Sequence, residues 1–109
     1  MARKKLDALT EQMYYVLLAL SEKRHGYAVM QYVSTLTEGR LTIGAGTLYA
    51  LLSRFEEEGL IFSQGEREGR KYYLLSPEGR AVLEEEIEKL RRRAADGARV
   101  LGKEDSSCG

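Results

Sequence analysis

The sequence has 109 residues, 43% hydrophobic and 31% charged, with 17 basic and 17 acidic side chains and a formal net charge of zero. This size and balance suit one soluble folded domain with a short appended element and exclude a disordered chain. No apolar run approaches the roughly 20 residues that cross a bilayer. The opening Met1-Ala2-Arg3-Lys4-Lys5-Leu6 is basic but lacks the apolar stretch of a secretory signal, so a cytoplasmic protein without membrane partners is expected. Cys108 is the single cysteine and His25 the single histidine. Neither a disulfide nor a metal cluster can be built from them, and no nucleophile–base–orienter set is visible, so no cofactor and no enzyme activity are expected. Zero net charge argues against binding by bulk positive charge, but the charges are segregated. Basic clusters lie at Arg3-Lys4-Lys5, at Arg67, Arg70 and Lys71, and at Arg91-Arg92-Arg93; acidic ones lie at Glu56-Glu57-Glu58 and along Glu84 to Glu88.

Thr10 is a good helix N-cap, and Met13, Val16, Leu17 and Leu20 follow at the spacing of one helical face, so the first helix ends near Ser21 to Arg24. His25 falls in the loop or at the start of a second helix opened by Gly26, in which Val29, Met30 and Val33 share a face and which Thr37-Glu38-Gly39 ends. Leu41-Thr42-Ile43 reads as a short extended stretch, and Gly44-Ala45-Gly46 as a permissive turn before a third helix from about Thr47 to Glu58. Leu48, Leu51, Leu52 and Phe55 form the apolar stripe of that helix. Gly59 stands where a left-handed C-cap is wanted, with Leu60 folding back. The outward face carries Thr47, Tyr49, Ala50, Ser53 and Arg54.

From Leu60 the pattern changes. Leu60 to Gln64 and Lys71 to Leu75 are strand-like, and Glu66 to Arg70 between them make a hairpin turn with Gly69 supplying the positive φ. Alternation directs Tyr73 and Leu75 to the core. Ser76-Pro77 then starts a last helix, with Ser as cap and Pro at the first helical position. Leu83, Ile87, Leu90 and Ala94 repeat at steps of four and three, a coiled-coil seam too short to stand without a partner surface.

The order helix, helix, helix, hairpin, helix is that of a winged helix-turn-helix, a mainly α fold with a small β-hairpin, followed by a C-terminal dimerisation helix. The expected division is residues 1–76 for DNA binding, 77–101 for dimerisation and 102–109 as a disordered tail. In this arrangement the third helix enters the major groove. Thr47 and the free N–H groups at its start can bond phosphate. Tyr49 and Ser53 can reach bases or phosphate, and Arg54 can clamp a phosphate or a guanine edge. Arg67, Arg70 and Lys71 at the wing tip can follow the adjacent backbone or minor groove.

His25-Gly26-Tyr27, Gly46-Thr47-Leu48-Tyr49, Phe55-Glu56-Glu57-Glu58-Gly59-Leu60-Ile61 and Arg70 to Gly79 together resemble the PadR-like transcriptional regulators, over about Leu9 to Leu90. The resemblance implies a homodimeric repressor joined through its C-terminal helix and binding an inverted-repeat operator in double-stranded DNA. It adds Tyr27 to Thr47, Tyr49 and the wing cations as DNA-contacting positions. The single C-terminal helix is similar to that of a compact subgroup, some of whose members bind flat aromatic compounds using a tryptophan on that helix. This chain has no tryptophan, so an aromatic-compound sensor is not carried over, and a small-molecule effector stays open without an identity. Ala50 stands where other members commonly have proline, and Leu75 separates Leu74 from Ser76. Two other classes remain open on the residues alone: a winged helix used for protein interaction, and a small-molecule-binding dimer that does not regulate DNA.

Overall fold

In a computed structural model, which describes residues 9–103, helix α1 spans Glu11–Ala19, strand β1 Arg24–His25, helix α2 Gly26–Leu36, helix α3 Ala45–Glu57, strand β2 Ile61–Arg67, strand β3 Arg70–Leu75 and helix α4 Pro77–Leu101. The Arg3-Lys4-Lys5 cluster, Cys108 and residues 104–109 of the expected tail lie outside the described residues. Thr10 caps α1 as expected, accepting from the Met13 N–H at 3.1 Å. The reciprocal bond of the capping box goes from the Thr10 N–H to the Met13 sulfur at 3.3 Å, where a carboxylate is usual. Met13, Val16, Leu17 and Leu20 are all buried, with Ala19 beside them.

The helix-turn-helix is formed by α2, α3 and their link. Thr37 is fully buried at the end of α2, donating its hydroxyl to the Val33 carbonyl at 2.9 Å and accepting from the Leu41 N–H at 3.1 Å. One hydroxyl thereby ties the link to the helix it leaves. Leu41-Thr42-Ile43, expected as an extended stretch, joins no sheet; burial of Ile43 anchors it instead. Helix α3 starts two residues before the expected Thr47. Gly44, in an extended conformation, is its N-cap, and the Leu48 N–H closes the first turn on the Gly44 carbonyl at 2.9 Å. Leu48, Leu52 and Phe55 are buried and Leu51 is half-buried, as the stripe requires. At the far end Gly59 has φ 77°, with Gly59 N–H on Glu56 O and Leu60 N–H on Phe55 O, the paired bonds of a Schellman cap.

The sheet has three antiparallel strands in the order β1-β3-β2, one more than the hairpin read from the sequence. Arg24 pairs with Tyr73 and His25 with Tyr72. Two residues with no strand-like run escape pattern reading, because their pairing is created by β3's second edge. The hairpin turns at Glu68 and Gly69, with φ 51° and 77°, so Glu68 shares the left-handed conformation expected of Gly69 alone. An irregularity between Ser63 and Glu66 places Gly65, φ 94°, at a bulge. Tyr73 is buried and Leu75 packs against the core.

Ser76 caps α4 through the Gly79 N–H at 3.0 Å, donates its own hydroxyl to the Gly59 carbonyl at 2.7 Å, and leads into Pro77. The end of α3, the hairpin and α4 thus meet at one seam. Gly79 lies against the Leu60 carbonyl, where an added Cβ would collide with backbone and stand 2.8 Å from the Leu75 Cδ1. Because the obstacle is backbone, Gly79→Ala is expected to destabilise the fold by about 1–3 kcal/mol, the usual range for overpacking. Thermal melting measures it as a drop of several degrees.

Candidate nucleic-acid interface

The seam at Leu60 and Gly79 orients the hairpin, and β1 fixes it against the start of α2. Their consequence is a concave notch of about 290 Å³ lined by His25, Gly26, Tyr27, Tyr49, Gly69, Arg70, Lys71 and Tyr73. Four of the residues singled out in the sequence, Tyr27, Tyr49, Arg70 and Lys71, come together here from α2, α3 and the wing. Both tyrosines are 52% exposed, too open for core packing. Thr47 and Ser53 are exposed on α3, and Gly44 offers no side-chain cap, so the first N–H groups of that helix are open to a ligand. Tyr49 reaches this position because Gly26 has no side chain: a Cβ there would stand 2.5 Å from the Tyr49 hydroxyl oxygen.

Arg54 is placed differently. Its Nε lies 3.4 Å from Glu58 Oε2 one turn along α3, a partly exposed pair of small energy that directs the guanidinium away from the helix start. The wing cations Arg67, Arg70 and Lys71 are exposed and, among the described residues, have no carboxylate within ion-pair distance. Register sets Lys71 opposite Glu66 but Arg67 opposite Arg70, a like-charge pair that disfavours the hairpin. Lys23, not singled out in the sequence, stands over the Tyr72 ring at 5.9 Å and lines a groove of about 200 Å³ with Gln64 and Arg67.

His25 is the second residue that sequence reading left without a role. It is the N-cap of α2, its Nδ1 accepting from the Ala28 N–H at 3.2 Å, while its Nε2 lies 3.1 Å from an Arg70 guanidinium nitrogen. Its ring meets Tyr72 edge-on at 5.2 Å. Only the β1–β3 register brings Arg70 to it, and no local spacing signals that. Desolvation, and then the Arg70 charge, holds the imidazole pKa below its ordinary 6.5.

The second candidate surface is α4. Leu83 is taken up by the chain's own core, Ile87 and Leu90 are half-buried, and Ala94 is exposed. Past Glu86 the helix has no buried residue, and Val100 and Leu101 are 79% and 74% exposed. Beside it a trough of about 300 Å³ runs against α1, lined by Tyr14, Tyr15, Glu86, Leu90 and Arg93 among others. Burial first, and then the nearby Tyr15 and Glu86, raise the Tyr14 pKa above its ordinary value. Arg91 is engaged with Glu88 at 3.9 Å on the exposed flank. No helix of the described residues is long and apolar enough to cross a membrane.

Three helices with a paired β-wing, an open-ended third helix and a cationic wing tip define a winged-helix protein. Residues 16–85 match the Transcriptional regulator PadR-like family, and the chain belongs to it. Over 66 residues it is 33% identical to the Transcriptional regulator YqjI of Escherichia coli, covering 61% of this chain and 32% of that protein, so it spans about a third of that relative's length. A PadR family transcriptional regulator from Eggerthella lenta is 34% identical with a TM-score of 0.66, over 86% of this chain and 83% of that one. Bacillus subtilis PadR in complex with operator DNA shares the fold at a TM-score of 0.63 and 22% identity, over 72% of this chain and 47% of that one.

The lowered His25 pKa has a consequence for stability. The unfolded chain takes up a proton at His25 before the folded chain does, so the stability that this histidine contributes is present above pH 6.5 and is lost as pH falls below it. Between about pH 7 and 5.5 it is the one side chain of the sequence with an ordinary pKa in range. The melting temperature should therefore fall across that window, and His25→Asn, which keeps a capping oxygen but cannot titrate, should flatten the fall.

Proposed function

We propose that the protein is a homodimeric repressor that recognises an inverted-repeat operator, with α3 in the major groove and the wing along the neighbouring backbone. The observation that carries this reading is the convergence of Tyr27 and Tyr49 with Arg70 and Lys71 of the wing around one notch, with Thr47 exposed on the same helix as Tyr49. Thr47 and the open N–H groups of α3 are suited to phosphate, Tyr49 and Ser53 to base edges or phosphate, and Arg67, Arg70 and Lys71 to the flanking strand. Arg54 joins them on rotating away from Glu58, which an exposed ion pair opposes weakly. Operator DNA bound to Bacillus subtilis PadR, a protein of the same fold, supports the same partner here. Residues 1–76 would then read DNA and 77–101 would pair two copies.

Dimerisation is supported by α4. Its 25 residues extend about 37 Å at the usual rise, yet only its first half is covered by its own chain. The faces of Ile87, Leu90 and Ala94, continuing to Leu101, are left for a second copy. Two wings and two α3 helices would double the phosphate contacts of a chain with no net charge, and place half-sites about one helical turn apart.

Replacing Thr47 and Tyr49 together with alanine should abolish selective binding to an operator chosen from random duplexes, with melting temperature and oligomeric state nearly unchanged. Wild-type affinity should fall steeply with salt. A chain that binds no duplex at low salt would be a protein-interaction module instead. Ile87→Glu, which buries an unpaired charge in the proposed seam, should give monomers in sedimentation while the wild type sediments as a dimer. An unchanged dimer would place the interface elsewhere.

A further inference from the structure

His25 stands between two groups that can only donate. The Ala28 N–H points at Nδ1 at 3.2 Å, and the Arg70 guanidinium lies 3.1 Å from Nε2. A neutral imidazole has one lone pair, so it cannot accept both bonds. With the proton on Nε2 the helix cap is satisfied, and Nε2–H faces the guanidinium N–H. With the proton on Nδ1 the Arg70 contact is satisfied, and Nδ1–H faces the Ala28 N–H, leaving α2 uncapped. An imidazolium satisfies neither. An acceptor shared by Nε2–H and Arg70 keeps the cap and removes the conflict without displacing the exposed Arg70 side chain. Among the described residues no carboxylate lies within ion-pair distance of Arg70, and the register adds Arg67 directly opposite it, so positive charge gathers at this point, with Glu66 opposite Lys71 one pair further along the hairpin.

We propose that the notch between α2, α3 and the wing seats a phosphate oxyanion, one of its oxygens shared by His25 Nε2–H and the Arg70 guanidinium, with Lys71 and the Tyr27 and Tyr49 hydroxyls around it. Resting on the DNA-binding reading above, the anion is a backbone phosphodiester of the bound duplex. His25 thus has two tasks on two ring nitrogens: Nδ1 holds the start of α2 and Nε2–H touches the ligand. In the free protein the lowered pKa leaves the ring neutral at pH 7, and with an anion bound the Ala28 N–H facing Nδ1 still opposes a second proton, so His25 contributes a donor and not a charge. Arg70 supplies the charge. Gly26 keeps the notch open, since any side chain there would push Tyr49 out of it.

The single histidine makes the test direct, because the ring nitrogens of the ¹⁵N-labelled protein give one set of signals. In free protein at pH 7.5 the proton is expected on Nε2; addition of a mixed-sequence duplex at low salt should shift the Nε2–H resonance and leave Nδ1 unprotonated. His25→Asn, which retains a capping oxygen, should weaken duplex binding about tenfold, the effect of one hydrogen bond to a charged acceptor. It should not change the salt dependence, whereas Arg70→Ala should flatten the slope of log K against log salt by about 0.9. Histidine signals that stay fixed while the duplex binds, or a proton found on Nδ1, overturn the site and leave the DNA-binding reading standing. So does full affinity in a folded His25→Asn. Signals that respond to inorganic phosphate and not to duplex assign the notch to a free anion and overturn the phosphodiester. Failure of the wild type to bind any duplex at low salt removes both proposals together.

Discussion

The pairing of Arg24–His25 with Tyr73–Tyr72 is the constraint on which the candidate interface depends. A two-residue strand contributes little by itself, yet it fixes the wing against the start of α2. Without it the hairpin would be a free two-stranded ribbon, which is marginal in water. With it, Arg70 reaches His25, and the Tyr49 side chain of α3 lies over Gly26 at the same junction. The second anchor is the seam of Gly59, Leu60, Ser76 and Gly79, where α3 ends, the hairpin returns and α4 begins. Helix, wing and notch hold one geometry because the first anchor is backbone pairing and the second joins the Ser76 N–H on the Leu60 carbonyl to the bonds of the Ser76 hydroxyl.

The core and the functional surface use different parts of the same helices. Helix α3 gives Leu48, Leu52 and Phe55 to the interior and leaves Thr47, Tyr49 and Ser53 outside. Burying the first set stabilises by roughly 1.5–3 kcal/mol per side chain, while the second set contributes little to folding and is available for binding. Helix α4 divides along its length instead. Gly79, Leu83 and Glu86 are covered, and from Leu90 onward apolar atoms meet solvent. Val100 and Leu101 stay exposed on an otherwise charged helix.

Electrostatics explain how a neutral protein can bear a locally cationic surface. Carboxylates along α4 and at the end of α3 are engaged with Arg54, Arg80, Arg91 and Arg99, while the wing cations have no such partners among the described residues. Membership of the PadR-like family agrees with that distribution. What a phosphate would meet is local potential, and the net charge of the chain says little about it.

Much of this was legible in the residues themselves. Helical periodicity marked the buried faces of α1 to α3, Ser76-Pro77 set the start of α4, and Gly59 and Gly69 marked a helix end and a turn, because each rests on interactions within a few residues. The motifs around Tyr27, Thr47-Leu48-Tyr49 and Arg70 to Gly79 also fall on the elements that line the notch. Only the tertiary structure decided that Arg24–His25 is a strand, that Arg70 meets His25, and that Leu83 belongs to the core and not to a free seam. Strand pairing brings Arg70 to His25 across 45 positions of sequence, and the face that a helix buries depends on what packs against it. Neither is encoded in local spacing. His25 shows the difference most clearly: the sequence marked it as a residue at the start of a helix, and the fold made it the contact between that helix and the wing.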